Sequence, residues 1–98
     1  MEKRTPHCPL ERVRVLLREG KVRSTRAATQ GAHKLGLRPR QIVDVIQGLS
    51  SSDFYKSMTT YLDHRIWQDV YHVPTQFGWI YVKLTVVDDV LVVSFKEL

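Results

Sequence analysis

Midway along this chain of 98 residues the hydrophobic period changes, and nothing else in the sequence limits the fold as strongly. Before Ser50-Ser51-Ser52 apolar side chains recur every three or four residues; beyond it, segments rich in β-branched and aromatic residues are broken by turn chemistry. Pro9, followed by Leu10, Val13, Leu16 and Leu17, predicts a first helix with proline in its opening turn and Gly20 as its stop. Ser24 is placed to cap a second helix running through Arg26-Ala27-Ala28 to Leu35 and ended by Gly36. Pro39 opens a third, whose buried side is Ile42, Val43, Val45, Ile46 and Leu49. Strands are expected over 54–61, 66–72, 79–87 and 90–96, although Ser50 and Asp53 are also able to cap a short helix ahead of the first. The expectation is an α+β fold, with N-terminal helices packed on a mainly antiparallel sheet. Length sets one domain over 1–98, helical over about 9–49 and sheet-forming over about 53–96.

Composition excludes several classes. Hydrophobic residues at 43% and charged ones at 26% suit a globular chain rather than a disordered or low-complexity one. The run Val90-Leu91-Val92-Val93 is far short of the ~20 apolar residues of a membrane-spanning helix, so no membrane is expected. The start Met1-Glu2-Lys3-Arg4 has no apolar run of the kind a signal peptide needs. A single cysteine, Cys8, forms no internal disulfide, which fits the reducing cytoplasm as the expected location. Charge is uneven: residues 1–50 carry 11 lysines and arginines against 4 acids, and residues 51–98 carry 4 against 6. A basic half favours a polyanionic partner or is simply a solvated helical surface.

The last hairpin permits a geometric inference. If Asp88-Asp89 forms a two-residue turn, Val87 faces Val90, Tyr81 lies opposite Lys96 and Lys83 opposite Ser94. The other face then pairs Val82 with Phe95, Leu84 with Val93 and Val86 with Leu91; being wholly apolar, it is the core face. Tyr81, Lys83, Thr85, Ser94 and Lys96 are left on an open polar face, where lysine on a last strand also serves to blunt an exposed edge. In the segment Ile66 to His72, sending Trp67 and Tyr71 to the core brings Gln68 and His72 onto the open face. That choice requires a buried partner for Asp69 or a place near a strand end.

The segments Phe54-Tyr55-Lys56-Ser57-Met58-Thr59-Thr60-Tyr61, Trp67-Gln68-Asp69-Val70-Tyr71 and Val93-Ser94-Phe95-Lys96-Glu97 closely resemble the motility quorum-sensing regulator (MqsR) toxins, and Met1 to His7 and the total length are similar too. The resemblance implies a RelE-like microbial ribonuclease fold. It also implies the activity of a type II toxin–antitoxin toxin: an endoribonuclease, or mRNA interferase, that cuts single-stranded mRNA at GC-containing triplets such as GCU or GCA. No metal or other cofactor is expected, and the implied partners are the mRNA substrate and a zinc-binding, helix-turn-helix antitoxin. The catalytic positions implied are Lys56, Gln68, Tyr81 and Lys96, with Tyr55 and Met58 contributing to substrate binding. Position 72 departs from the family pattern, which has arginine where this chain has His72; imidazole lacks the permanent charge and bidentate grip of a guanidinium.

Metal-free RNA cleavage uses the ribose 2′-OH to attack the adjacent phosphorus, leaving a 2′,3′-cyclic phosphate and a 5′-OH. It needs a base, an acid and positive charge around the phosphoryl oxygens. Lysine near its usual pKa of about 10.4 is a poor base at neutral pH, and the neighbouring charges of Lys83 and Lys96 are expected to lower that of Lys56. Lys56 is thus assigned proton transfer or phosphate stabilisation, Lys96 charge stabilisation, and Tyr81 phosphate orientation or acid catalysis. Gln68 hydrogen-bonds phosphate, ribose or base. Lys83 and His72 join the substrate-binding set, His72 also as a titrating group, while Tyr55 and Met58 offer a stacking surface or plain core.

His7, Cys8, His33, His64 and His72 lack paired metal-ligand spacing, and Asp88-Asp89 is explained by a turn. The rival from another class is a DNA-binding regulator without nuclease activity, since residues 24–48 read as helix, Gly36-Leu37-Arg38, helix. Its second helix would offer Arg40, Gln41, Asp44 and Gln47 to a major groove, but the wide apolar side beneath them favours packing on the sheet. The basic helices remain available to guide RNA or to dock on an acidic antitoxin surface.

Overall fold

Six strands form one sheet in the computed structural model, which describes residues 1–98. The elements are β1 (Glu2–Lys3), α1 (Leu10–Arg18), β2 (Val22–Ser24), α2 (Arg26–Lys34), α3 (Pro39–Gln47), a 3₁₀ turn (Ser51–Asp53), β3 (Phe54–Thr59), β4 (Trp67–Thr75), β5 (Gly78–Val86) and β6 (Val90–Glu97). Sheet order is β1-β3-β4-β5-β6-β2, with β2 parallel to β6 and every other pair antiparallel.

The helices end as the glycines predict, Gly20 and Gly36 taking positive φ just beyond α1 and α2. Their starts differ in detail. Pro9 stands at the N-cap of α1, and Thr25, not Ser24, caps α2 by accepting from Ala28 N at 3.1 Å. Ser24 is taken by β2, whose partner Val92 is remote in sequence. Val13, Leu16 and Leu17 of α1, Ala28 and Ala32 of α2, and Ile42 and Ile46 of α3 meet Tyr71, Val73, Ile80, Val82, Leu84, Val90, Val92 and Phe95 of the sheet in one core. Val43 and Val45 are only half-buried at its margin.

Two bulges correct the simple alternation. The terminal turn holds Val87, Asp88 and Asp89, so Val86 pairs with Val90 and Leu84 with Val92. A shift between Lys83 and Leu84 then restores the predicted pairs Lys83–Ser94, Val82–Phe95 and Tyr81–Lys96. Val90 and Val92, not Leu91 and Val93, therefore fill the core. The second bulge lies in β3, where pairing jumps from Phe54–Tyr71 to Lys56–Val70 and leaves Tyr55 unpaired. Strand β4 starts at Trp67 and runs on to Thr75, while Ile66 stays in the preceding loop.

Candidate active site

The face of the sheet turned away from the core is built in rows. Lys56, Val70, Lys83 and Ser94 lie side by side across β3, β4, β5 and β6. Next to them run His72, Tyr81 and Lys96, and on the other side Glu2, Met58 and Gln68. Adjacent strands are ~4.8 Å apart, so each row spans only a few nucleotide-sized steps. All eight side chains singled out from the sequence, namely Tyr55, Lys56, Met58, Gln68, His72, Tyr81, Lys83 and Lys96, share this face.

Tyr55 gets there through the β3 bulge. In a regular strand Tyr55 and Lys56 point to opposite faces; the extra residue re-aims Tyr55 so that its ring stacks on His72, with centroids 4.2 Å apart. The Tyr81 ring lies 5.7 Å from His72, and the Lys96 ammonium is 5.3 Å from the Tyr81 ring. Gln68 Nε2 donates to Thr85 Oγ1 at 3.4 Å, across the sheet from the rings. Val70, fully buried, is the apolar floor between Lys56 and Lys83.

Position 69 resolves the facing of β4. Trp67 and Tyr71 do turn away from the open face, Trp67 half-buried and Tyr71 fully so. The buried Asp69 carboxylate accepts from His7 N and Cys8 N, both at 2.9 Å. Those two bonds tie the N-terminal segment to the sheet, and His7 stacks on Trp67 at 5.6 Å. Tyr71 OH and Ser57 Oγ are buried without a partner on the core side.

The electrostatics depart from the expectation for Lys56. Glu2 of β1 reaches over the edge of the face, and its Oε2 accepts from Lys56 Nζ at 2.6 Å. That bond, aided by the Glu2 charge, raises the Lys56 pKa rather than lowering it, and it holds the Glu2 carboxyl below its ordinary value. The lysine whose pKa falls is Lys83, through burial first and then repulsion from Lys96 and Lys56. Burial raises the Tyr81 phenol above its ordinary value, against the pull of Lys56, so it is protonated across the neutral range. Sequence patterning missed Glu2, and with it Arg4, whose guanidinium lies 5.9 Å from the Tyr55 ring. A two-residue strand has no period to detect, and only its distant partner β3 makes it a strand.

The chain is similar to known proteins over nearly its whole length. The family model described as motility quorum-sensing regulator, toxin of MqsA, matches residues 5–97. The chain belongs to that family. The mRNA interferase toxin MqsR of Escherichia coli (strain K12) is 58% identical over 97 residues, 99% of each chain. As a member of the MqsR toxin family, the chain has the expected α+β architecture, and β1 and β2 are additions to the helices-then-meander pattern read from the sequence.

Proposed function

We propose that this chain is an mRNA interferase toxin, an endoribonuclease that cuts single-stranded mRNA at GC-containing triplets of the GCU or GCA kind and so stops translation and growth. One observation carries the proposal: three lysines and a phenol share one open sheet face around the buried Val70, the charge and proton donors that a phosphodiester transition state needs. Full-length similarity to an mRNA interferase toxin supports it.

In this scheme the 2′-oxygen forms a bond to phosphorus as the bond to the 5′-oxygen breaks. Lys56, charged through its pairing with Glu2, stabilises the phosphoryl oxygens together with Lys83 and Lys96. Tyr81, held protonated, donates to the departing 5′-oxygen. Gln68 hydrogen-bonds the ribose or base, and the stacked Tyr55–His72 pair with Met58 receives a neighbouring base. His72 supplies a ring surface here in place of an arginine grip. Positive charge from lysines takes the part a metal plays elsewhere, so we propose that the reaction is independent of metal and cofactor. The further partner is a zinc-binding, helix-turn-helix antitoxin, and the site of action is the cytoplasm.

The test is incubation of the purified chain with a long mRNA in EDTA and analysis of fragment ends. Cyclic-phosphate ends at recurring GC triplets are expected, and Lys56→Ala should slow single-turnover cutting by about 10²-fold or more. Intact RNA together with tight binding of duplex DNA would overturn the proposal in favour of a regulator. Cutting by Lys56→Ala at the unaltered rate would remove that lysine from the chemistry.

A further inference from the structure

The open face has an apparent excess of acids over bases for the reaction. Lys56 is held charged by Glu2, Tyr81 is held protonated, Gln68 does not titrate and the His72 ring is engaged in its stack on Tyr55, yet the attacking 2′-hydroxyl must lose a proton. Glu2 is the one carboxylate that the strand register sets among these side chains, in the row of Met58 and Gln68 and 2.6 Å from Lys56 Nζ. More than half of its side chain is open to solvent, so an incoming ribose has room to reach it.

The segment that carries Glu2 is fixed at both ends. Thr59 N donates to Met1 O at 3.0 Å ahead of it, and beyond it the Lys3 ammonium sits 4.2 Å from the Trp67 ring centroid, while Asp69 holds His7 N and Cys8 N. Glu2 is therefore part of the face rather than a fraying terminus. A fixed negative charge beside a site for a phosphodiester weakens binding, a cost that is offset where the chemistry uses the charge. Accepting a proton is such a use.

We propose that Glu2 is a catalytic residue, the general base that takes the 2′-hydroxyl proton while Lys56 passes from Glu2 to the phosphoryl oxygens. The proton from the 2′-oxygen ends on the Glu2 carboxylate, the 2′-oxygen–phosphorus bond forms, the bond to the 5′-oxygen breaks, and that oxygen takes a proton from Tyr81. Water then resets the two groups. This inference rests on the ribonuclease function proposed above and names a residue outside the set read from the sequence.

Glu2 experiences the N-terminal ammonium and Arg4 on its own segment and Lys56 from β3. Tyr55, His72 from β4, Tyr81 and Lys83 from β5, and Lys96 from β6 stand farther across the face. All the cations among them favour the ionised carboxylate, which is therefore ready to accept a proton at neutral pH.

The experiment compares wild type, Glu2→Gln and Glu2→Asp in single-turnover cleavage of a GC-containing RNA oligonucleotide in EDTA, from about pH 3 upwards. Binding is measured separately on the same oligonucleotide with a 2′-deoxy sugar at the cut. For Glu2→Gln we expect a rate lowered about 10² to 10⁴-fold, deoxy-oligonucleotide binding equal to or tighter than wild type, and loss of the acidic limb of the pH profile. Glu2→Asp should recover part of the rate and restore that limb, which a structural role for β1 would not do. Glu2→Gln cutting at the wild-type rate would overturn the inference while leaving the ribonuclease standing. The same holds if it binds more tightly without slowing, since the carboxylate would then only occupy the phosphate position. Failure of the wild type to cut removes both proposals together.

Discussion

Lys83 illustrates how a single side chain is destabilised for the sake of its surroundings. Its ammonium stands beside Val70, half-buried, and faces two like charges, which together lower its pKa. Between that lowered value and the ordinary value near 10.4, the unfolded chain binds more protons than the folded one, so this residue's contribution to stability rises with pH. Below the lowered value its penalty is present in full. Lys83→Met keeps the apolar stem and removes the charge, and it should be more stable than wild type at pH 7 by up to about 1 kcal/mol, discounted for solvent screening at a group that is only half-buried. The advantage should shrink as the pH approaches 10, and RNA cutting should weaken at every pH. Urea melts of both proteins at pH 7 and pH 9.5 check this; a less stable variant at pH 7 would mean that the ammonium has a partner in the folded state.

At the scale of elements, α2 is placed by the absence of a side chain. A Cβ on Gly31 would come within 2.0 Å of Phe95 O, so the helix approaches the β6 backbone only because that position is bare. Thr25 fixes the start of the same helix, its hydroxyl donating to Val93 O at 2.8 Å while accepting from Ala28 N. Gly31→Ala would gain up to about 1 kcal/mol of helix propensity in isolation. Here it should instead destabilise by about 1–3 kcal/mol, because α2 must lift off β6. The neighbouring Lys96 should shift with it, so cutting should fall as well, by chemical denaturation and by single-turnover assay respectively. The three helices and four long strands were legible because each carries its own period, and the pairing of Tyr81 with Lys96 survived a wrong turn length because the β6 bulge cancels the error. What alternation does not encode is a local break in it. The bulge that turns Tyr55 beside Lys56 depends on its pairing with β4, and the short strands β1 and β2 depend on partners more than fifty residues away. Glu2 was hidden for that reason, whereas the need of Asp69 for a buried partner was visible even though the identity of that partner was not.

For the whole molecule, the distribution of charge along the chain and its distribution in space point to different partners. The excess cations of residues 1–50 lie mainly on helices, while the candidate site takes three of the four cations of the acidic second half. Arg12 and Arg40 project from α1 and α3, which pack on the opposite side of the sheet from Lys56, Lys83 and Lys96. If phosphates of a single strand are held by those three lysines alone, the logarithm of RNA affinity should fall against the logarithm of salt with a slope of about −2, from ~0.7 per neutralised phosphate. Replacing Lys83 by Met or Lys96 by Ala should each lower the magnitude of that slope by about 0.7. The double variant Arg12→Gln, Arg40→Gln should leave both the slope and the cutting rate as they are, because its charges lie across the sheet from the substrate. Titration of an uncleavable 2′-deoxy-substituted oligonucleotide at several salt concentrations measures all of these. A wild-type slope steeper than about −4, reduced by the arginine changes, would carry the RNA path over the helices and make the basic half part of the substrate channel.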